Sequence, residues 1–129
     1  MKIGDLARRT GFSVHTIRYY ERIGLLPRAD RDRSGQRSYD ASILSWIEFL
    51  NRLKTTGMSI GDMRRYAALR QRGGQSSEAR RKLLEAHREK VRARIAELKA
   101  CLLVLDDKIA GYAGVEQRMK THERTAFDP

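Results

Sequence analysis

Apolar residues recur at helical spacing in several segments of this chain, and glycine, proline or polar turns separate these segments. The first segment runs from about Gly4 to Thr10, and Gly11 follows it as a residue suited to a helix end. Ser13 is suited to the N-cap of a second helix, from Val14 to about Ile23. Two short helices joined by a tight turn that contains glycine are typical of a helix-turn-helix.

A polar stretch and two further helices follow. The segment Arg28–Tyr39 is polar and contains a Ser-Gly turn signal at Gly35, so it predicts a small β-hairpin, or wing. Asp40 is expected to cap a third helix that ends near Thr56. Ser59 is expected to cap a fourth helix that ends near Arg70.

The last predicted helix is long, from Glu78 to about Ala110, and has no internal glycine or proline. Its apolar residues alternate at spacings of four and three, which is the pattern of a heptad seam, with one polar interruption at Arg88. A single helix with such a seam needs a partner helix, most simply the same helix of a second chain. The predicted dimerisation residues are Leu84, Val91, Ile95, Leu98, Leu102, Leu105 and Ile109.

These elements predict an all-α fold with a small β wing. We expect a winged helix-turn-helix DNA-binding domain at residues 1–72 and a linker at 73–77, where Gly-Gly-Gln-Ser-Ser occurs. A coiled-coil dimerisation helix is expected at 78–112, followed by a flexible polar tail at 113–129.

Composition points to nucleic acid as the partner. The chain has 129 residues, and 27 Lys and Arg against 16 Asp and Glu give a formal net charge of +11. Positive charge is densest in residues 1–39, so a basic head is expected to meet DNA phosphates. An anionic membrane surface is the competing partner, but no apolar run is long enough to span a bilayer. The N-terminus has no apolar signal-peptide core, so a cytoplasmic location is expected.

The candidate DNA-binding residues lie on the second helix and on the wing. The second helix offers hydrogen-bonding and basic side chains that suit a major groove and its phosphates; these are Ser13, His15, Thr16, Arg18 and Tyr19. The wing offers guanidinium and hydroxyl groups suited to phosphates, among them Arg33, Arg37, Ser38 and Tyr39. The alternatives are a solvated helix face and a solubilising loop. For Tyr39, which precedes a helix cap, a further alternative is a partly buried position that joins the wing to helix three.

Three segments together resemble the MerR family of bacterial transcription regulators. They are IGDLARRTGFSVHTIRYYERIGLLP from Ile3, the wing RSGQRSY followed by Asp40, and LKTTGMSIGDMRRY from Leu53. The resemblance spans roughly residues 2–112, and the opening motif combined with the wing is highly specific.

This resemblance implies a homodimer built by an antiparallel coiled coil of the long helices. It also implies binding to double-stranded promoter DNA whose spacer is too long for RNA polymerase, and activation by bending and untwisting that spacer in response to a small effector. The family's DNA-contacting roles fall on Thr16, Arg18, Tyr19, Arg37 and Tyr39. Phosphate contacts are implied for the loop after helix three, at Lys54, Thr56 and Ser59.

The resemblance does not identify the effector. Metal-sensing members have a cysteine at the start of the long helix, whereas this chain has Ser77 there and no thiol in its tail. We therefore expect no metal site, no iron–sulfur cluster and no other cofactor. The long helix resembles that of an electrophile-responsive group, but Arg52 occupies the position of that group's reactive thiol. Cys101, the single cysteine, is interpreted as a structural residue rather than a sensor.

Two other functional hypotheses compete with that of a transcription regulator. A DNA-architectural or excisionase-like protein has a similar winged head and bends DNA without sensing an effector. An adaptor that grips another protein through the coiled coil leaves the charge of residues 1–39 unexplained. No nucleotide loop, Ser/His/Asp set or paired carboxylates rise above chance, so an enzyme is not expected.

Overall fold

The structure is a computed structural model that describes the backbone of residues 1–127 and the side chains of residues 1–122. It is mainly helical with a small two-stranded antiparallel wing, which confirms the predicted fold class. In chain order the elements are α1 Ile3–Thr10, α2 Val14–Arg22, β1 Asp30–Arg31, β2 Arg37–Ser38, α3 Ile43–Thr55, α4 Ile60–Gln71 and α5 Ser77–Phe127. Two compact units are present, Met1–Arg88 and Glu89–Pro129.

The first two helices form as the sequence predicts. Gly11 adopts φ 76°, and its N–H donates to the carbonyl of Ala7, which closes the end of α1. The side chain of Ser13 accepts a hydrogen bond from the N–H of Thr16 at 3.0 Å and so caps α2. Leu6 of α1 and Ile17 of α2 are fully buried, so apolar contact fixes the two helices against each other.

The wing is a short hairpin in which Asp30 pairs with Ser38 and Arg31 with Arg37. The Asp32 carboxylate organises the turn, because it accepts hydrogen bonds from the side chain and N–H of Ser34 and from the N–H of Gln36. The same hydrogen bonds, that of the Ser34 side chain first, lower the pKa of Asp32.

The start of the chain extends this hairpin, which the sequence did not predict. Lys2 forms an antiparallel bridge with Ser38, and the N–H of Tyr39 donates to the carbonyl of Met1 at 2.6 Å. The first residues therefore lie beside β2 and extend the hairpin by one bridge. A pairing across nearly forty residues leaves no local pattern in the sequence.

Helix α3 begins later than predicted, at Ile43 rather than immediately after Asp40. The Asp40 carboxylate accepts a hydrogen bond from the N–H of Ser42 at 3.0 Å, which stabilises a turn before the helix. Ser59 caps α4 as predicted, since its side chain accepts from the N–H of Asp62 at 3.1 Å.

The core of the first unit lies where α1, α2, α3 and α4 meet. The indole Nε1 of Trp46 donates to the carbonyl of Leu25 at 2.8 Å, which pairs a buried polar group. Trp46 stacks on Tyr66 with ring centroids 5.8 Å apart, and the Arg70 guanidinium lies 4.3 Å from the indole centroid. These aromatic rings pack against one another in the core of the first unit.

The connection from α4 to α5 is more ordered than the linker predicted for residues 73–77. Gly73–Ser76 forms a 3₁₀ turn, and α5 begins at the next residue, Ser77. The hydroxyl of Ser76 is buried and donates to the carbonyls of Leu69 and Gly73. This hydroxyl satisfies the carbonyls at the end of α4, a contact that a compositional reading of Gly and Ser as flexible misses.

Helix α5 is also longer than the predicted span 78–112, because it continues to Phe127. The expected flexible tail at 113–129 is therefore helical over its described part, and residues 128 and 129 lie outside the described residues. Gly111 and Gly114 each cost only about 1 kcal/mol relative to Ala inside a helix, and residues 77–127 contain no proline. Polarity alone does not end a helix.

The first turns of α5 belong to the first unit. Leu83 and Leu84 pack against the buried core of that unit. Leu84, predicted as a dimerisation residue, therefore contributes to the head, because the helix begins close enough to α4 for its first apolar residues to reach the core.

In the second unit the predicted heptad residues are solvent-exposed along α5. The exposed large apolar side chains of α5 are Ile95, Leu98, Leu102, Leu103, Val104, Leu105, Ile109, Tyr112, Val115 and Met119. Val91 is partly buried. Over the described residues, the structure contains no helix that is long and apolar enough to cross a membrane.

Candidate nucleic-acid interface

The recognition face of α2 is formed by the side chains that the core does not use. Ile17 and Tyr20 are buried, so the helix turns His15, Arg18 and Tyr19 outward, and all three are exposed. The guanidinium carbon of Arg22 lies 5.5 Å from the ring centroid of Tyr19, within cation–π range. The structure thus brings the predicted α2 residues together on one accessible surface.

The N-terminus of α2 carries the other two predicted residues. Ser13 is exposed, and its hydroxyl also donates to the hydroxyl of Thr16 at 2.9 Å. Both hydroxyls lie at the positive end of the helix dipole, where an anionic group is stabilised. This end of α2 is suited to a phosphate or to base edges.

A groove of about 780 Å³ separates α1 and α2 from the wing. Its basic lining residues are Lys2, Arg8, Arg18, Arg31 and Arg37. Lys2 and Arg8 were missing from the predicted site, and only the bridge from the chain start to the wing reveals Lys2. Because the groove collects cations from three elements, it offers several phosphate contacts at once.

A second groove of about 540 Å³ shares Arg18, Arg31 and Arg37 with the first. Arg22 and Arg28 complete its basic wall. One carboxylate, that of Glu21, lies among these arginines. The two grooves make a continuous basic surface from α1 across α2 to the wing.

Glu21 is held by two residues from the end of the wing. The hydroxyl of Tyr39 donates to Oε1 of Glu21 at 2.5 Å, and Nη1 of Arg37 lies 3.4 Å from Oε2. The side chain of Glu21 is 8% exposed. Nη1 of Arg37 is buried and has no hydrogen-bond partner among the described residues, and it forms an ion pair with Glu21.

Tyr39 was predicted as a DNA-contacting residue, but the structure places it in the core. It is 4% exposed, and its hydroxyl is used by Glu21. Burial, and then the hydrogen bond and charge of Glu21, raise the pKa of Tyr39 above its ordinary value. A side chain buried in this way supports the wing rather than reaching into a DNA groove.

The remaining wing residues differ in accessibility. Arg33 is exposed in the turn, whereas Arg37 and Ser38 are half-buried in β2. The wing therefore presents an exposed arginine at its tip and a more constrained one at its base.

The end of α3 and the loop that follows it carry the three residues that the resemblance implied. Lys54, Thr56 and Ser59 are all exposed. The hydroxyls of Thr56 and Ser59 already serve the structure, since Thr56 donates to the carbonyl of Arg52 at 2.8 Å and Ser59 caps α4. Lys54, in the last turn of α3, is the charged residue among the three.

The sequence matches two family descriptions that together cover most of these elements. Residues 1–70 match the MerR HTH family regulatory protein, and residues 44–108 match MerR, DNA binding. The chain belongs to the MerR family. It is thus a member of a family of DNA-binding transcriptional regulators.

Individual MerR-family relatives agree with this assignment. The chain is 40% identical over 106 residues to an uncharacterized HTH-type transcriptional regulator of Haemophilus influenzae, covering 82% of this chain and 78% of the relative. A MerR family transcriptional regulator structure from Listeria monocytogenes has TM-score 0.83 and 37% identity, covering 96% of this chain and 98% of that one.

A second solved relative was captured on DNA. HiNmlR, described as a MerR family regulator lacking the sensor domain, is bound to promoter DNA in its structure. It has TM-score 0.78 and 36% identity, covering 90% of this chain and 92% of that one. These relatives are transcriptional regulators, and no catalytic family is indicated.

Two positions that bear on a thiol-based sensor, Ser77 and Cys101, lie on α5. Ser77 is the first residue of that helix, and the thiol of Cys101 is exposed in its middle. Among the described residues, no group of three or more His, Cys, Asp or Glu side chains is arranged to hold a metal ion.

Proposed function

We propose that this protein is a homodimeric regulator that binds promoter DNA and activates transcription by distorting an overlong promoter spacer. Its place of action is the cytoplasm, on DNA that RNA polymerase also engages. The observation that carries this proposal is the continuous basic surface formed by α1, α2 and the wing, with Arg18 and Arg37 at its centre.

In this proposal α2 enters the major groove. His15, Arg18 and Tyr19 are exposed on the face that meets DNA, while Ser13 and Thr16 lie at the helix N-terminus. Arg33 and Arg37 of the wing, with Ser38, take the flanking phosphates, and Lys54, Thr56 and Ser59 take phosphate on the other side. Tyr39 acts indirectly, by holding the base of the wing.

The homodimer is supported by the exposed seam of α5. Ile95, Leu98, Leu102, Leu105 and Ile109 repeat at heptad spacing, and each is about half or more exposed in the single chain. An apolar stripe of this length on a monomer marks an interaction surface. We infer that the α5 helix of a second copy covers it as an antiparallel coiled coil.

Spacer distortion follows from the number of phosphate contacts that a dimer makes. Bending a short DNA site costs on the order of 1–6 kcal/mol by elastic estimates, so the contacts between protein and DNA must offset that cost. Each head supplies cations from α1, α2 and the wing, and two heads double them. A dimer of this kind can hold DNA in a distorted form that realigns promoter elements for RNA polymerase.

A small effector completes the proposal. A cavity of about 530 Å³ on the first unit is lined by Tyr66, Arg80, Leu84 and Arg88, among others. It lies where the start of α5 meets α4, next to the residues that connect the head to the long helix. A ligand here is placed to alter how the two heads of the dimer are held.

The test combines fragment selection with transcription in vitro. Purified protein is expected to select one inverted repeat from genomic DNA, lying between promoter elements, and to activate that promoter. Shortening the spacer to the length that RNA polymerase prefers is expected to remove the dependence on the protein. Binding without a common motif supports a DNA-architectural protein, and dependence that survives the shortened spacer argues against distortion.

A further inference from the structure

The carboxylate of Glu21 is an unexpected group in the basic surface. A negative charge beside Arg18, Arg22, Arg28 and Arg31 weakens the attraction of this surface for DNA phosphates. Its side chain is nevertheless 8% exposed, and burying a carboxylate is unfavourable unless it is paired and hydrogen-bonded. Electrostatic attraction to DNA therefore does not explain why a glutamate occupies position 21.

The contacts of Glu21 supply a reason. Each carboxylate oxygen meets a different residue of the wing, Oε1 the hydroxyl of Tyr39 at 2.5 Å and Oε2 the guanidinium of Arg37 at 3.4 Å. Glu21 itself lies in α2, so the contacts join the recognition helix to the base of the wing.

The wing has few other means of keeping its direction. Its strands are two residues long, and a hairpin of this size is not stable by itself. The backbone contacts of Met1 and Lys2 fix one edge of the wing. The side-chain contacts with Glu21 join the wing directly to α2.

We propose that Glu21 is a positioning residue for DNA binding, whose carboxylate sets the direction of the wing relative to the recognition helix by holding Tyr39 and Arg37. This inference rests on the proposed function and deepens it. It assigns to an acidic side chain a favourable effect on binding to a polyanion. The effect is indirect, through the residues that it orients.

The variant Glu21→Gln distinguishes an electrostatic role from a positioning role, because the two roles predict opposite changes in operator affinity. It removes one negative charge from the DNA-facing surface, so a purely electrostatic role predicts tighter operator binding. A positioning role predicts that binding becomes about tenfold weaker, because Gln keeps an acceptor for Tyr39 but loses the ion pair with Arg37. Glu48→Gln is the matched control, since Glu48 is exposed on α3 and touches no part of the wing.

Tyr39→Phe is the second variant, because it removes only the hydroxyl and keeps the buried ring. We expect weaker binding again, and a double variant weaker by less than the product of the two single effects. Hydroxyl-radical footprints on the operator separate the contacts: protection by the wing is expected to fade while protection by α2 persists. Tighter binding by Glu21→Gln, or a uniform loss of protection, overturns the proposal.

Hydrogen exchange of the free full-length protein tests the inference without DNA. In Glu21→Gln and Tyr39→Phe, amides of the wing at residues 30–38 are expected to exchange about tenfold faster, while amides of α3 keep their rates. Faster exchange throughout the head indicates a general loss of stability and contradicts a positioning role, as do unchanged wing amides. If the wild-type protein selects no operator, the proposed function fails on that result alone, and these exchange rates still decide the role of Glu21.

Discussion

The hydroxyl oxygen of Thr56, at the end of α3, lies 2.8 Å from Nε2 of His87 in α5. The same hydroxyl is directed at the backbone carbonyls of Arg52 and Leu53, so its proton is already used. Thr56 therefore accepts from His87, which carries its proton on Nε2. This contact ties the first part of the long helix to the loop proposed to touch phosphate.

We expect His87→Ala to destabilise the protein by about 1 kcal/mol, the usual value of one side-chain hydrogen bond. The measurement is the midpoint of urea unfolding at constant slope. His87→Gln is the matched control, because its amide nitrogen is placed to donate to the same oxygen. If the two variants are equally destabilised, the hydrogen bond to Thr56 is not what His87 contributes.

Two exposed leucines of α5 provide a test of the dimer. Leu98 lies on the heptad seam and is 51% exposed, whereas Leu103 lies off the seam and is 67% exposed. In a dimer built on the seam, Leu98→Glu buries an unpaired charge in each protomer, which costs several kcal/mol.

The expected result is a monomer for Leu98→Glu and an unchanged dimer for Leu103→Glu, measured by light scattering at equal concentration. Both variants add one negative charge to the same helix, so solubility and net charge are matched. A dimer that survives Leu98→Glu but not Leu103→Glu shows that the partner covers a different face of α5.

Arg18 lines both basic grooves and, unlike Arg31 and Arg37, lies on the recognition helix α2, which makes it the most informative cation to remove. Arg18→Ala is expected to weaken operator binding about tenfold or more, as loss of one charged contact does. If Arg18 meets phosphate, the slope of binding against salt concentration falls by about one.

The control for Arg18 is Lys82→Ala. Lys82 is an exposed cation of α5 that pairs with Glu78, outside the candidate interface. Lys82→Ala removes the same formal charge as Arg18→Ala. Equal losses of operator affinity in the two variants therefore mean that overall charge, and not the position of Arg18, governs binding.

Local signals in the sequence predicted most of the fold. Ser13 and Ser59 were identified as helix caps from residue type and position, and both side chains accept the expected backbone hydrogen bonds. Such caps depend on three or four neighbouring residues, so the sequence contains all the information they need. The periodicity of α5 likewise indicated a long helix with an apolar stripe.

The features of the site that the sequence did not predict depend on contacts between residues that are far apart in the chain. Lys2 lines the basic groove because its backbone pairs with Ser38. Tyr39 is not available for a DNA contact, because it is buried and its hydroxyl donates to Glu21. Tyrosine suits both a DNA surface and a core, and only its burial decides between them. Leu84 similarly meets the heptad pattern but packs on the head.

The buried hydroxyl of Tyr39 predicts a specific loss of stability at alkaline pH. Burial and Glu21 raise its pKa in the folded protein, while the unfolded chain has the ordinary value of 10.0. Below that pH both states are protonated, and the stabilising effect of the contact is complete. Above it the unfolded state releases its proton first, so stability falls by up to about 1.4 kcal/mol per pH unit until the folded state also titrates.

Tyr39→Phe removes this titration and leaves the other tyrosines in place. The difference in unfolding free energy between wild type and Tyr39→Phe is expected to be constant from pH 7 to 9 and to shrink as the pH rises above 10. Urea unfolding across this range measures it, and each protein is compared with itself at neutral pH. A difference that stays constant to pH 11 contradicts a Tyr39 hydroxyl whose pKa is raised by burial against Glu21.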